Sequence, residues 1–196
     1  MPQAETNLSN AIVASRELFW RRGFDETSVA EIVAATGMNR YALYNAFGGK
    51  LEIFLAVLDA YYAERKNIFL NNLNNPNYAP MDAIRSVFEF AITEMAERGA
   101  GCLMCNVASE VGAHEKIVLD RINNYLDEIR GAYTEALARA DARSELNPDI
   151  TPADGAEILL TLKLGIGARA KHGASAEALM SIFNAGMTAL SKAKEQ

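Results

Sequence analysis

The short stretch NRYALYNAFGGK carries several side chains that could recognise another molecule. Forked hydrogen-bonding groups can pair with the edges of nucleotide bases, Arg40 with guanine and Asn45 with adenine. Tyr41 offers a ring for thymine methyl groups together with a hydroxyl. Tyr44 and Lys50 are better suited to phosphate oxygens. These residue types predict a surface that contacts nucleic acid.

The elements that position these side chains can be read from capping and turn residues. A helix that opens at Thr27 or Ser28 has Glu31 three residues after Ser28, which is the spacing of a capping box. Gly37 is a natural end for this helix. The next helix begins at Asn39, a preferred N-cap residue. Two short helices joined by a glycine turn are therefore predicted.

Apolar spacing assigns the faces of the second helix. Leu43 and Phe47 lie four residues apart, with Met38 just before them, and together can anchor only one face. Arg40 and Asn45 are left on other faces. The pattern matches a helix-turn-helix, whose second helix enters the major groove of DNA. The alternative is a solvated helix face in an ordinary helical bundle, because this pattern alone is weakly specific.

The overall charge places a limit on the type of nucleic-acid binding. The 196 residues include 19 basic and 25 acidic side chains, for a net charge of −6. This excess argues against a protein that coats nucleic acid by bulk charge. Residues 1–50 hold equal numbers of basic and acidic side chains, so the surplus of acid lies in residues 51–196. No membrane segment or signal peptide is apparent, which predicts a cytoplasmic protein with reduced cysteines.

Helical periodicity along the whole chain, with almost no strand pattern, predicts an all-α fold of about nine helices. We expect a small domain over residues 1–50 and a larger one over residues 51–196. Thr151 followed by Pro152, and Ser175, predict the starts of the last two helices.

The segment ELFWRRGFDETSVAEIVAATGMNRYALYNAFGGKLEIFLAVLD, Glu17 to Asp59, resembles the N-terminal DNA-binding domain of the TetR (tetracycline-repressor) family of bacterial regulators. The resemblance implies that Arg40, Tyr41 and Asn45 face bases, whereas Thr27, Tyr44 and Lys50 contact phosphates. Two residues depart from the family pattern. Trp20 replaces a smaller residue, which suggests a local packing contact, and the bulk of Tyr41 changes what the helix can read. The matching residues are Leu18, Phe19, Gly23, Phe24, Thr27, Ser28, Ile32, Gly37, Leu43, Tyr44, Phe47 and Lys50.

For residues 51–196 the resemblance implies a helical bundle that binds a small molecule and a final helix pair that forms a homodimer. The alternative, for the pocket residues and for the interface residues alike, is an ordinary core within one chain. The dimer interface is predicted at Leu160, Leu164, Leu179, Phe183 and Met187. The ligand pocket is predicted at Phe88, Ile92, Met95, Cys102, Met104, Cys105, Val107, Tyr125 and Tyr133.

Cys102 and Cys105 form a Cys-x-x-Cys, a spacing found in zinc and redox sites. A closed zinc site needs four ligands, and His114 and His172 are unsuitably spaced, so no metal or cofactor is expected. A redox-sensitive thiol at Cys102 is one interpretation and buried packing is the other.

No catalytic motif is present, so we expect no enzyme. The predicted function is a repressor released from a palindromic operator by a small-molecule inducer, with electrophiles or oxidants among the candidates. The alternatives are a small-molecule-binding helical bundle or an enzyme without DNA activity.

Overall fold

The computed structural model describes residues 2–110 and 116–193, and within them the chain is helical with no strand. One isolated antiparallel bridge joins Leu146 to Ser191. None of the helices in the described ranges is long and apolar enough to cross a membrane. The all-α prediction is confirmed, with nine helices in these ranges: α1 (Pro2–Arg22), α2 (Val29–Thr36), α3 (Arg40–Phe47), α4 (Lys50–Leu73), α5 (Pro80–Arg98), α6 (Leu103–Glu110), α7 (Lys116–Ala142), α8 (Pro152–Lys171) and α9 (Ala176–Leu190).

Packing divides the chain into two compact units, Met1–Glu64 and Arg65–Gln196. The division falls inside α4, later than residue 50, because the first half of α4 packs on the N-terminal helices. Phe54 of α4 lies 4.9 Å, ring centroid to ring centroid, from Phe19. The boundary at residue 50 between a DNA-binding domain and a ligand-binding domain stays a prediction.

Aromatic contacts hold the N-terminal unit together. Phe24 in the connection between α1 and α2 lies 5.0 Å from the Phe54 ring, centroid to centroid. The Trp20 and Tyr61 rings meet edge to face at 5.1 Å and 78°. Trp20 is buried, so the local packing contact predicted from its unusual size is confirmed. Such edge-to-face pairs add about 0.5–1.5 kcal/mol beyond the area they bury.

A chain of aromatic rings forms the centre of the C-terminal unit. Phe88 of α5 stacks on Phe183 of α9 at 4.4 Å between ring centroids. Phe88 also stacks on Tyr133 of α7, with 5.9 Å between the ring centroids. Phe69 of α4 meets the Tyr133 ring edge-on at 5.4 Å. Four helices of this unit are therefore joined through one aromatic cluster.

Three residues predicted at the dimer interface lie inside their own chain, so those predictions are wrong. Leu179 and Phe183 are 0% exposed and Met187 is 1% exposed. Their four-residue spacing defines the apolar stripe by which α9 packs on its own unit, so none presents surface to a second chain. Leu160 is also buried, whereas Leu164 is half-buried.

Candidate nucleic-acid interface

A capping box begins α2, as the sequence predicts. The Ser28 hydroxyl accepts a hydrogen bond from the Glu31 backbone N–H at 3.2 Å, and the Ser28 backbone N–H donates to the Glu31 carboxylate at 2.8 Å. Glu31 also pairs with Arg22 at the end of α1. The start of α2 is thereby tied to the end of α1.

The turn between α2 and α3 fixes where the second helix begins. Gly37 adopts a left-handed conformation with φ of 67°, and its N–H donates to the Val33 carbonyl. A side chain at this φ is strained, which is why glycine suits the position. The Asn39 side-chain oxygen then accepts from the Ala42 N–H at 2.8 Å. Asn39 is the N-cap of α3, as predicted.

The two faces of α3 differ in burial as the apolar spacing predicts. Leu43 is completely buried, as is Ile32 of α2. On other faces, Arg40 and Asn45 are exposed, and Tyr41 is 79% exposed. These side chains are not part of the buried core, so they remain available to another molecule. The exposed part of α3 is therefore the candidate nucleic-acid interface.

Two residues of this surface hold each other in place. The Arg40 guanidinium carbon lies 5.7 Å from the centroid of the Tyr44 ring, within cation–π range. The four-residue spacing places the two side chains on neighbouring turns of one helix. The contact was not predicted, although this four-residue spacing is the sequence signal for it.

Lys50 is anchored at the start of α4 by the connection between α1 and α2. Its ammonium donates to the Asp25 carbonyl at 3.3 Å and lies 4.3 Å from the centroid of the Phe24 ring. An ammonium has three donors, so this contact leaves capacity for a phosphate oxygen. This contact could not be predicted from sequence, because Lys50 and Asp25 are 25 residues apart.

Thr27 does not fit its predicted phosphate contact. The residue is 0% exposed, and its hydroxyl donates to the Gly23 carbonyl at 2.7 Å. A fully buried hydroxyl that is already used inside the protein offers nothing to a phosphate. Thr27 instead closes the turn between α1 and α2, and we omit it from the contacts proposed below.

The nine residues predicted to form a ligand pocket are all buried in the C-terminal unit. The Tyr133 hydroxyl is the unusual one, because it has no hydrogen-bond partner among the described residues. Burial first, and then the nearby Cys105 and Cys102, raise the pKa of Tyr133 well above its ordinary value. A hydrogen bond with Cys102 and then burial raise the pKa of the Cys105 thiol in the same way. A role of these residues in ligand binding stays a prediction.

An open groove of about 550 Å³ lies elsewhere, along the outer side of α5. None of the predicted pocket residues lines it. Over the described ranges, no three histidine, cysteine or acidic side chains come together as a metal site would require, and His114 lies outside those ranges. The groove is lined by Tyr78, Asp82, Arg85, Ser86, Glu89, Phe90 and Thr93.

Two family models match the chain. Residues 11–57 match "Bacterial regulatory proteins, tetR family", and residues 80–185 match "Tetracyclin repressor-like, C-terminal domain". Among curated proteins, the HTH-type transcriptional repressor ComR of Escherichia coli (strain K12) is 28% identical over 176 residues, which cover 88% of this chain and 83% of ComR.

Solved structures share the fold. Regulatory protein TetR from Rhodobacter sphaeroides has a TM-score of 0.86 and 24% identity, over 93% of this chain and 97% of that one. A cysteine-substituted form of the TetR family regulator CifR, complexed with 26bp double-strand operator DNA, has a TM-score of 0.81 and 21% identity, over 91% of this chain and 94% of that one.

A capped helix-turn-helix with an exposed polar second helix, attached to an all-α C-terminal unit, defines a helix-turn-helix regulator. The chain belongs to the TetR family of bacterial regulatory proteins. It is a DNA-binding transcriptional regulator.

Proposed function

We propose that this protein is a repressor that binds a palindromic operator as a homodimer, reads its bases through α3 and is released by a small molecule held in the C-terminal unit. The exposed face of α3 is the observation that carries the proposal. Its polar and aromatic side chains have no structural task in the core, whereas every large apolar residue of α3 points inward or is half-buried. Action on DNA implies a cytoplasmic protein.

We assign Arg40, Tyr41 and Asn45 to base contacts, because they are exposed on α3 and their side chains carry groups that can pair with base edges or contact a thymine methyl. Recognition helices meet base edges mainly through their N-terminal residues. Tyr44 and Lys50 are assigned to phosphates, which position the protein without reading sequence. The stacking of Arg40 on Tyr44 restricts the guanidinium before DNA arrives, which lowers the entropy lost on binding.

A homodimer is proposed because a palindromic operator needs two reading helices related by a two-fold axis. The surface that suits a partner is the outer side of α8 and α9, where small and apolar residues remain exposed or half-buried. Leu162 of α8 packs so closely on α9 that a methyl group at Gly186 would lie 2.4 Å from its Cδ1 atom. The residues of this surface are Ile158, Thr161, Leu162, Gly165, Ile182, Ala185 and Ala189.

The inducer is proposed to bind among the buried residues of α5, α6 and α7. Tyr133 supports this assignment, because a buried hydroxyl without a partner is costly and could be satisfied by a polar group of a ligand. The aromatic rings of Phe69 and Phe88 around it suit a largely apolar or aromatic compound.

Binding of the purified protein to DNA fragments upstream of its own gene tests the repressor proposal. We expect one fragment to be preferred, and footprinting to show two half-sites related by a two-fold axis with centres about 34–36 Å apart. Equal binding to every fragment at physiological salt would contradict sequence-specific recognition.

The dimer surface is tested by placing a charge in it. We expect Ala185→Asp on α9 to convert the dimer to monomer in sedimentation experiments at micromolar concentration, because a carboxylate would be buried without a partner. Ala138→Asp on the exposed side of α7 is the matched control and should leave the dimer intact. Dissociation by both variants, or by neither, would contradict this interface.

A further inference from the structure

The two cysteines lie at the start of α6, in positions whose side chains meet. The Cys102 carbonyl accepts the first intrahelical hydrogen bond, from the Asn106 N–H at 2.9 Å, so Cys102 is the N-cap and Cys105 is the third helical residue. Helix geometry puts Cα atoms at these positions about 5 Å apart. That separation lies within the range of about 4.4–6.8 Å that a disulfide spans.

The two sulfurs are close but not bonded to each other. They form no disulfide, and a hydrogen bond with Cys102 is the main cause of the raised pKa of Cys105. Cys102 is 9% exposed and Cys105 is 1% exposed. A small oxidant would therefore meet Cys102 first, while Cys105 stays a protonated thiol beside it.

Both cysteines rest directly on the backbone of α8. A methyl group at Gly167 would lie 2.9 Å from Cys105 Cβ and 3.8 Å from Cys102 Cβ. The Cys105 thiol also lies 3.9 Å from the Lys163 carbonyl, one turn earlier on α8. Gly167 therefore allows a close approach that any larger residue would prevent. A rearrangement of the two cysteines would be felt by α8 at this point.

We propose that Cys102 and Cys105 form a reversible dithiol–disulfide switch that acts on α8 through the contact at Gly167. This inference rests on the proposed function, because α8 belongs to the proposed dimer surface. It deepens that function by naming hydroperoxides as the oxidant class that the chain responds to.

The chemistry balances in two steps. The Cys102 sulfur attacks the O–O bond of a hydroperoxide and the thiol proton passes to the departing oxygen. The products are the sulfenic acid of Cys102 and an alcohol, or water when the oxidant is hydrogen peroxide. The Cys105 sulfur then attacks the Cys102 sulfur, its proton leaves with the hydroxyl as water, and the disulfide forms. Two thiols lose two electrons and one peroxide gains them. A small thiol reverses the reaction by exchange.

Closure of the disulfide removes the Cys105 proton and draws its sulfur toward Cys102. The contact with the Lys163 carbonyl is lost, and the packing at Gly167 has to change. Coupling between two sites is typically about 5- to 150-fold in affinity, so we expect the operator affinity of the oxidised protein to fall by that factor.

Hydrogen peroxide applied to the reduced full-length protein tests the switch. We expect the tryptic peptide that contains both cysteines to become lighter by two hydrogens, operator affinity to fall, and dithiothreitol to restore both. Cys102→Ser and Cys105→Ser should each prevent the disulfide and the reversible loss of affinity. A disulfide between chains, oxidation of one sulfur alone, or a closed disulfide with unchanged affinity would overturn the proposal.

A second readout separates this proposal from the repressor proposal. If the reduced protein does not bind operator DNA, the repressor proposal fails, and hydrogen exchange in α8 then decides on the switch. Oxidation should change exchange around Gly167, and an unchanged rate there would overturn it. Gly167→Ala should produce a similar change without oxidant, whereas Gly131→Ala on α7, where an added methyl meets no atom within 4 Å, should not.

Discussion

The exposed face of α3 differs in its contact with solvent from a buried cluster in the C-terminal unit, formed by Cys102, Cys105 and Tyr133. On α3, residues such as Tyr41, at 79% exposed, keep their polar groups in solvent on a helix held by one buried leucine. In the cluster, Tyr133 and the two cysteines are removed from solvent. Burial raises the pKa of Tyr133, and a hydrogen bond with Cys102 followed by burial raises the pKa of Cys105. A DNA-binding surface needs donors that remain available, whereas a small-molecule site, the role that we propose for the cluster, gains by keeping water out.

This difference in exposure also determines how much a substitution affects stability. Exposed side chains can be replaced with little effect on folding, since surface substitutions usually stay within about 0.5 kcal/mol of neutral. Buried groups affect stability and function together. Substitutions can therefore show whether a residue belongs to the stable interior or to a surface that contacts another molecule.

Phe183→Ala should have the largest effect on stability. Phe183 is completely buried and stacks on Phe88 within the same chain, so its loss should lower the free energy of unfolding by about 3–5 kcal/mol. Phe90→Ala, at an exposed phenylalanine of α5, is the matched control and should be nearly neutral. Chemical denaturation measures both. Equal changes in the free energy of unfolding for the two variants would contradict the assignment of Phe183 to the core.

Thr27→Val should lower stability without altering the phosphate contacts. The buried Gly23 carbonyl loses its donor, which costs about 1–3 kcal/mol. The dependence of DNA affinity on salt should stay unchanged, whereas Lys50→Ala should reduce its slope by about one charge per subunit. Thr134→Val, at an exposed hydroxyl on α7, controls for the change of residue. A smaller salt slope for Thr27→Val would restore this residue to the DNA contacts.

Tyr133→Phe should stabilise the protein by about 1 kcal/mol, because it removes a buried hydroxyl that has no partner among the described residues. Thermal unfolding measures the change, and Tyr78→Phe at an exposed tyrosine is the control. A gain in stability together with a loss of response to inducer would identify the hydroxyl as a group kept for ligand binding. A loss of stability would show that the hydroxyl is satisfied.

Helix α3 could be predicted from sequence because its determinants are local. Ser28, Gly37 and Asn39 each act on residues within four positions, and caps and turns have strong residue preferences. The faces of α3 followed from the spacing of Leu43 and Phe47. Local rules of this kind also placed the starts of α8 and α9 correctly, at the N-caps Thr151 and Ser175.

The C-terminal unit was predicted less well because its contacts join distant residues. The apolar stripe of α9 was assigned to a partner chain rather than to its own core, and only packing distinguishes Phe183 as a core residue. The phosphate contact predicted for Thr27 does not fit the fold for a related reason. A hydroxyl near a helix start suits a phosphate or a nearby carbonyl, and the fold of the turn decides which one it meets.

The ratio of affinities for operator and scrambled DNA shows whether exposed residues of α3 read the bases. Arg40→Ala and Tyr41→Ala should each lower affinity for the operator by about 1–3 kcal/mol and barely change affinity for scrambled DNA, so the ratio falls. Lys50→Ala, measured beside them at two salt concentrations, should weaken both DNAs alike and leave the ratio intact. If Arg40→Ala and Tyr41→Ala left the ratio unchanged, α3 would not be the reading helix.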